Sequence, residues 1–122
     1  MRDKLGDKQR LQHILEAILE IEEFVSEVTE IDFSKNRMMQ QACVRNFGII
    51  GEAANHLTAD IKDKYSSVNW SAVKGFRNII VHEYFKVNVT VVWQLIHVDL
   101  VEIKQIVEQA LNDFEETKNS KY

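Results

Sequence analysis

The stretch GFRNIIVHEYF, residues 75 to 85, gathers side chains that can hold a phosphate and move a proton. Arg77 offers a planar fork of donors for phosphate oxygens. His82 has a reference pKa of about 6.5, which suits proton transfer near neutral pH. Asn78 and Tyr84 complete the polar set. RNA carries its own nucleophile, the 2′-hydroxyl, so these groups could cleave a phosphodiester without a metal. The alternative is an ordinary helix whose Arg and His are favourable cations at its C-terminus.

Helical geometry decides which of these side chains share a face. At about 100° per residue, Asn78 and His82 lie about 40° apart, and Arg77 and Tyr84 lie about 20° apart. Arg77 and His82 are about 140° apart, so they converge only if the helix ends near His82. One chain supplies one histidine here, and a symmetric dimer would supply two, one as base and one as acid. We therefore expect a homodimer with the site at the cleft between its copies.

Hydrophobic periodicity predicts the elements that position this stretch. A first helix over 8–28 has apolar residues at spacings of three and four. A second helix, over about 36–58, follows the loop TEIDFSKN, in which Ser34 or Asp32 is a plausible N-cap. Its apolar set is too broad for one stripe, which indicates a central helix or one that packs on a second chain. Gly48 and Gly51 lie three apart in this helix, and another backbone is expected to approach there because glycine is otherwise costly in a helix.

The remaining elements complete an all-α pattern. TADIKDKY predicts one or two further helical turns. A third helix, over about 71–83, begins at Asn69 or Ser71, and a fourth, over about 90–115, begins at Asn88 or Thr90. The tail EETKNSKY, 115–122, is expected to fray. The prediction is a single domain over 1–122, an up-and-down bundle of four main helices with short extra helical turns.

Composition excludes several classes of function. The chain has 122 residues, no proline, one cysteine and a formal net charge of −4. The acidic balance argues against a general nucleic-acid coat, so any RNA contact must be local or shared with a partner. Cys43 is expected to be a small buried hydrophobe. No Glu-x-x-His pairs occur for a di-metal site, so no metal or cofactor is predicted, and the histidines His13, His56 and His97 are expected at or near the surface.

Targeting signals are not evident in the sequence. No run of 18 apolar residues occurs, and the N-terminus MRDKLGDKQRL lacks the apolar core of a signal peptide. We therefore expect a cytoplasmic protein without a membrane span.

The segment RNIIVHEY matches an Arg, four residues, His, any residue, Tyr motif through Arg77, His82 and Tyr84. Around it RLQHILEAI, IIGEAANHL, Trp70, GFRN, HEYF and VVW follow in the expected order. On these residues the chain resembles the HEPN superfamily, specifically the HepT-like toxins that pair with minimal nucleotidyltransferase antitoxins. The likeness covers nearly the whole chain.

The resemblance implies an all-α, dimeric, metal-independent ribonuclease that acts as the toxin of a toxin–antitoxin pair. Arg77 and His82 would carry catalysis with support from Asn78, on RNA such as a tRNA. Tyr84 matches the tyrosine to which the partner nucleotidyltransferase adds AMP, and a bulky anion there would block a phosphate-binding cleft. A second hypothesis remains open: a non-catalytic helical module that binds a nucleotidyltransferase as its substrate or regulator.

Overall fold

The computed structural model describes residues 4–79 and 88–119. Its α-helices are α1 (Lys4–Phe24), α2 (Glu30–Ser34), α3 (Arg37–Asn55), α4 (Ala59–Lys64), α5 (Trp70–Lys74), α6 (Val89–Gln94) and α7 (Leu100–Asn119). No strand occurs within those two ranges. The predicted all-α fold is therefore confirmed.

The core lies between α1, α3 and α7, with α1 in the middle. α1 packs along both α3 and α7, and α5 packs on the far end of α3. The fully buried side chains of α1 recur at the predicted helical spacing, and they are Leu11, Ile14, Ile18 and Ile21. α3 contributes Cys43, Phe47 and Ile50, which are also fully buried. The prediction that Cys43 is a buried hydrophobe is confirmed.

Two sets of buried polar contacts attach α1 to the rest of the bundle. Asp7 is 1% exposed and accepts hydrogen bonds from the backbone N–H and the hydroxyl of Thr58, at 2.9 and 2.6 Å. Asn46 is equally buried and donates to the carbonyl of Ala17 at 3.2 Å and to the carboxylate of Glu20 at 2.7 Å. Both contacts join α1 to later parts of the chain, so they fix how α1 lies on the rest of the bundle.

The segment TEIDFSKN differs from its predicted loop. It contains the short helix α2, capped by Thr29, whose hydroxyl accepts from the N–H of Asp32. The N-cap of α3 is Asn36, which accepts from Met39, so the expectation of Ser34 or Asp32 is wrong. Four of the eight residues in this segment can cap a helix. Sequence alone therefore does not single out the cap.

The other two predicted caps are correct. The side chain of Asn69 accepts from Ala72 at the start of α5, and that of Asn88 accepts from Val91 at the start of α6. α4 supplies the further helical turns expected from TADIKDKY.

The later helices are less regular than predicted. α5 ends at Lys74 and continues as a 3₁₀ segment over Gly75–Arg77, instead of one α-helix over 71–83. α6 joins α7 through a π-helical segment, Leu95–Asp99, in which a ring nitrogen of His97 lies 2.9 Å from the carbonyl oxygen of Trp93. α7 extends to Asn119, so residues 115–119 of the predicted tail are helical.

None of the helices in the described ranges is both long enough and apolar enough to cross a membrane.

Candidate functional site

Arg77 is positioned by the packing of its 3₁₀ segment against α3. The preceding residue, Phe76, is 7% exposed and meets Phe47 edge-on, with ring centroids 5.1 Å apart. Gly51 allows the two backbones to approach: a Cβ there would lie 2.7 Å from the backbone nitrogen of Arg77 and 2.9 Å from the carbonyl oxygen of Lys74. The predicted backbone approach is confirmed at Gly51. Gly75, by contrast, faces open space, with nothing within 4 Å of a Cβ built on it.

The Arg77 side chain reaches across to α3 and meets Glu52. Its Nη1 donates to Oε1 of Glu52 at 3.1 Å. The other oxygen of the same carboxylate, Oε2, accepts from Nε2 of His56 at 2.9 Å. The side chains of Arg77, Glu52 and His56 are 37%, 58% and 54% exposed, so the whole group is open to a ligand from solvent.

The charges in this group favour the ionised carboxylate. The hydrogen bond from His56, followed by the one from Arg77, holds the pKa of Glu52 below its usual value. Glu52 therefore stays negatively charged at neutral pH, and it is the counter-charge of Arg77.

The predicted site residues fall into two groups. Arg77 is partly exposed, and Asn78 follows it with helical backbone and an exposed side chain. His82 and Tyr84 lie outside the described residues, so the predicted angles from Arg77 and Asn78 to them stay predictions. The 100° rule does not apply at Arg77 itself, because a 3₁₀ segment turns three residues per turn.

Sequence reasoning missed Glu52 and His56 as neighbours of Arg77. Their spacing of four places them on one helix face, which was visible in the sequence. The contact with Arg77 spans 25 positions and arises only from the packing of the 3₁₀ segment on α3. As predicted, His13, His56 and His97 lie at the surface. No group of three or more metal-ligating side chains occurs in the part of the chain that the structure describes.

An exposed row of side chains runs along α3 toward this group, and we call it the outer stripe of α3. Its members recur at spacings of three and four and are Met38, Gln41, Arg45, Ile49, Glu52 and His56. Met38 is 81% exposed and Ile49 is 37% exposed, which leaves apolar surface on the same side of α3 as the Glu52 carboxylate.

Comparison with known proteins identifies the chain's relatives. A family model described as "Ribonuclease HepT-like" matches residues 14–110. The chain belongs to the HepT-like ribonuclease family. The matched range includes both the Arg77 segment and α3, so this HepT-like chain aligns over the whole candidate site. The predicted resemblance to HepT-like proteins is therefore confirmed.

Individual relatives of this HepT-like chain carry ribonuclease names. A protein of Methanocaldococcus jannaschii named "Gamma-glutamylcyclotransferase and putative RNase" is 33% identical over 112 residues, 92% of this chain, and the match spans 50% of that protein. A second protein of that organism, named "Putative RNase", is 34% identical, over 83% of this chain and 93% of its own length. The "Probable ribonuclease HepT" of Thermococcus cleftensis is 35% identical, over 83% of this chain and 92% of its own length. No solved structure matches the chain at a significant level.

Proposed function

We propose that this HepT-like protein is a metal-independent endoribonuclease that acts as a homodimer and serves as the toxin of a toxin–antitoxin pair. One observation carries the proposal: an accessible Arg77, held on α3, in a chain whose relatives are named ribonucleases. The motif that contains Arg77 continues to His82 and Tyr84.

The proposed reaction uses the 2′-hydroxyl of the RNA as nucleophile. His82 takes the proton from this hydroxyl, the 2′-oxygen attacks phosphorus, and the bond from phosphorus to the 5′-oxygen breaks. The second His82 of the dimer returns a proton to the leaving 5′-oxygen. Arg77 neutralises the charge that grows on the phosphoryl oxygens, and Asn78 supports the site. The products are a 2′,3′-cyclic phosphate and a 5′-hydroxyl.

The outer stripe of α3 supports the dimeric assembly. Met38 and Ile49 are exposed apolar side chains that a second copy would cover. An isologous contact at the Ile49–Glu52 end of this stripe would bring the two Arg77 groups toward one cleft, because Arg77 contacts Glu52. Analytical ultracentrifugation tests this step, with Ile49→Glu expected to shift the dimer toward monomer.

His82→Ala tests the proposed chemistry, with His13→Ala as the matched control. His13 is an exposed histidine on α1 and lies outside the Arg77–Tyr84 motif. Growth and RNA integrity are compared after expression of each variant and of wild type. We expect wild type and His13→Ala to arrest growth and cleave RNA, and His82→Ala to do neither. Equal toxicity and cleavage by His82→Ala would refute the mechanism.

AMP addition to Tyr84 is the proposed means of neutralisation. The chain has three tyrosines, and Tyr65 is a poor acceptor because it is 7% exposed and its hydroxyl donates to Asp113 at 2.5 Å. Intact mass after co-expression with the proposed partner, a minimal nucleotidyltransferase, should show one added AMP, lost in Tyr84→Phe and kept in Tyr65→Phe. Modification without RNA cleavage by the unmodified protein would instead favour the non-catalytic module.

A further inference from the structure

The Arg77 guanidinium uses only one of its nitrogens in the described contacts. Nη1 donates to Glu52, while Nε and Nη2 make no hydrogen bond within residues 4–79 and 88–119. A guanidinium binds a phosphate through two parallel N–H groups, and Nε with Nη2 forms one such edge. The contact with Glu52 therefore leaves a complete phosphate-binding edge open.

The Glu52 carboxylate is itself held in place. Its second oxygen accepts from His56 one turn further along α3, so each oxygen has one donor. Gly51, the residue before Glu52, fixes the distance between the two backbones, because a Cβ there would overlap the Arg77 nitrogen. Three residues of α3 therefore act together on Arg77. Gly51 sets the distance between the backbones, His56 holds the Glu52 carboxylate, and Glu52 orients the guanidinium.

We propose that Glu52 is a positioning residue that holds the Nη1 side of Arg77 and so points the Nε–Nη2 edge at a phosphate, with His56 holding Glu52. The identity of that phosphate as part of an RNA rests on the proposed function. The contact between Arg77 and Glu52 does not depend on the proposed function. Glu52 acts through Arg77 and need not touch the substrate.

A competing role for the same contact makes the opposite prediction. A carboxylate beside a phosphate site repels the anion, so a Glu52 that merely occupied Arg77 would weaken phosphate binding, and its removal would tighten binding. A positioning Glu52 contributes more through orientation than it costs through repulsion, so its removal weakens binding. The sign of the change separates the two roles.

The first arm of the test follows Arg77 by NMR through its Nε–Hε signal, with inorganic phosphate as the probe. Glu52→Ala removes the contact, and Glu52→Gln keeps an acceptor oxygen without the charge. Glu108→Ala removes an exposed carboxylate from α7 as the matched control. We expect Glu52→Ala to weaken phosphate binding about two- to fivefold, the range that an exposed ion pair carries. Glu52→Gln and Glu108→Ala should bind at least as well as wild type.

The second arm measures RNA cleavage by the same variants. Misplacement of Arg77 should lower kcat of Glu52→Ala about tenfold, with most of the rate restored in Glu52→Gln. The positioning role is overturned if Glu52→Ala binds phosphate as well as wild type, if Glu52→Gln is as impaired as Glu52→Ala, or if phosphate leaves the Arg77 signal unmoved. If phosphate binding weakens as expected but wild type cleaves no RNA, the positioning role stands and the proposed function fails.

Discussion

Gly51→Ala tests whether the close approach of α3 to the Arg77 segment governs both folding and the site. The new Cβ would lie 2.7 Å from the backbone nitrogen of Arg77 and 3.2 Å from the carbonyl oxygen of Val73. Ordinary van der Waals contact begins at 3.4 Å, so the new Cβ and the Arg77 nitrogen must move apart by about 0.7 Å. A backbone atom cannot rotate away as a flexible side chain can.

Two opposing terms set the stability of this variant. Alanine is better than glycine in a helix interior by about 1 kcal/mol, whereas overpacking of this kind costs about 1–3 kcal/mol. We expect a net loss of up to about 2 kcal/mol, which lowers Tm by several degrees in a domain of this size. The same shift moves Arg77 and should lower RNA cleavage about tenfold or more, because a displacement of about 1 Å can cost 10²-fold.

Gly75→Ala is the matched control for this prediction. Gly75 has a φ of −67°, which alanine adopts readily, and nothing lies within 4 Å of the added carbon. This variant should gain about 0.4–1 kcal/mol from the lower entropy of its unfolded chain. Urea denaturation and the cleavage assay are run on both variants. A Gly51→Ala protein that gains as much stability as Gly75→Ala and cleaves RNA at the wild-type rate would refute the reasoning.

Further predictions concern the buried polar contacts and the lone thiol. Asp7→Ala should lose about 2–3 kcal/mol in urea denaturation, because it leaves both groups of Thr58 without a charged acceptor. An unchanged midpoint would contradict this. Asn46→Ala should lose about 1–3 kcal/mol for the same kind of reason, and a loss below 0.5 kcal/mol would contradict it. Burial raises the pKa of the Cys43 thiol from 9.0 to about 12, so a chromogenic disulfide should label it at pH 8 only after unfolding. As pH rises above 9.0 the thiol ionises in the unfolded chain but stays protonated in the folded protein. Ionisation of Cys43 therefore favours unfolding, and the protein loses stability between pH 9.0 and about 12. Rapid labelling of the native protein would contradict this.

The elements of the bundle could be predicted wherever a long apolar period or an isolated cap residue marked them. α1 and α7 show such a period, and Asn69 and Asn88 each stand just before the helix they cap. α2 could not be predicted because a five-residue helix shows no period. The 3₁₀ segment at Arg77 was missed for a related reason, since its tight turn depends on packing against α3 rather than on its own sequence.

Only those parts of the candidate site that consist of residues close together in the sequence could be predicted. The Arg77 motif and the Glu52–His56 spacing are both visible in the sequence, and Gly51 was correctly interpreted as a point of backbone approach. The meeting of Arg77 with Glu52 is a tertiary contact, and no local pattern predicts it.

Cleavage of RNA by the purified protein, with a metal chelator in excess, tests the central claim most directly. Wild type and Arg77→Ala are compared on total RNA and on tRNA, and the ends of the products are determined. We predict that wild type cleaves with chelator present and leaves a 2′,3′-cyclic phosphate. Arg77→Ala should be slower by about 10²-fold or more, the cost of removing one charge-stabilising donor. Equal cleavage by Arg77→Ala, or loss of wild-type cleavage on chelation, would contradict a metal-independent ribonuclease built around Arg77.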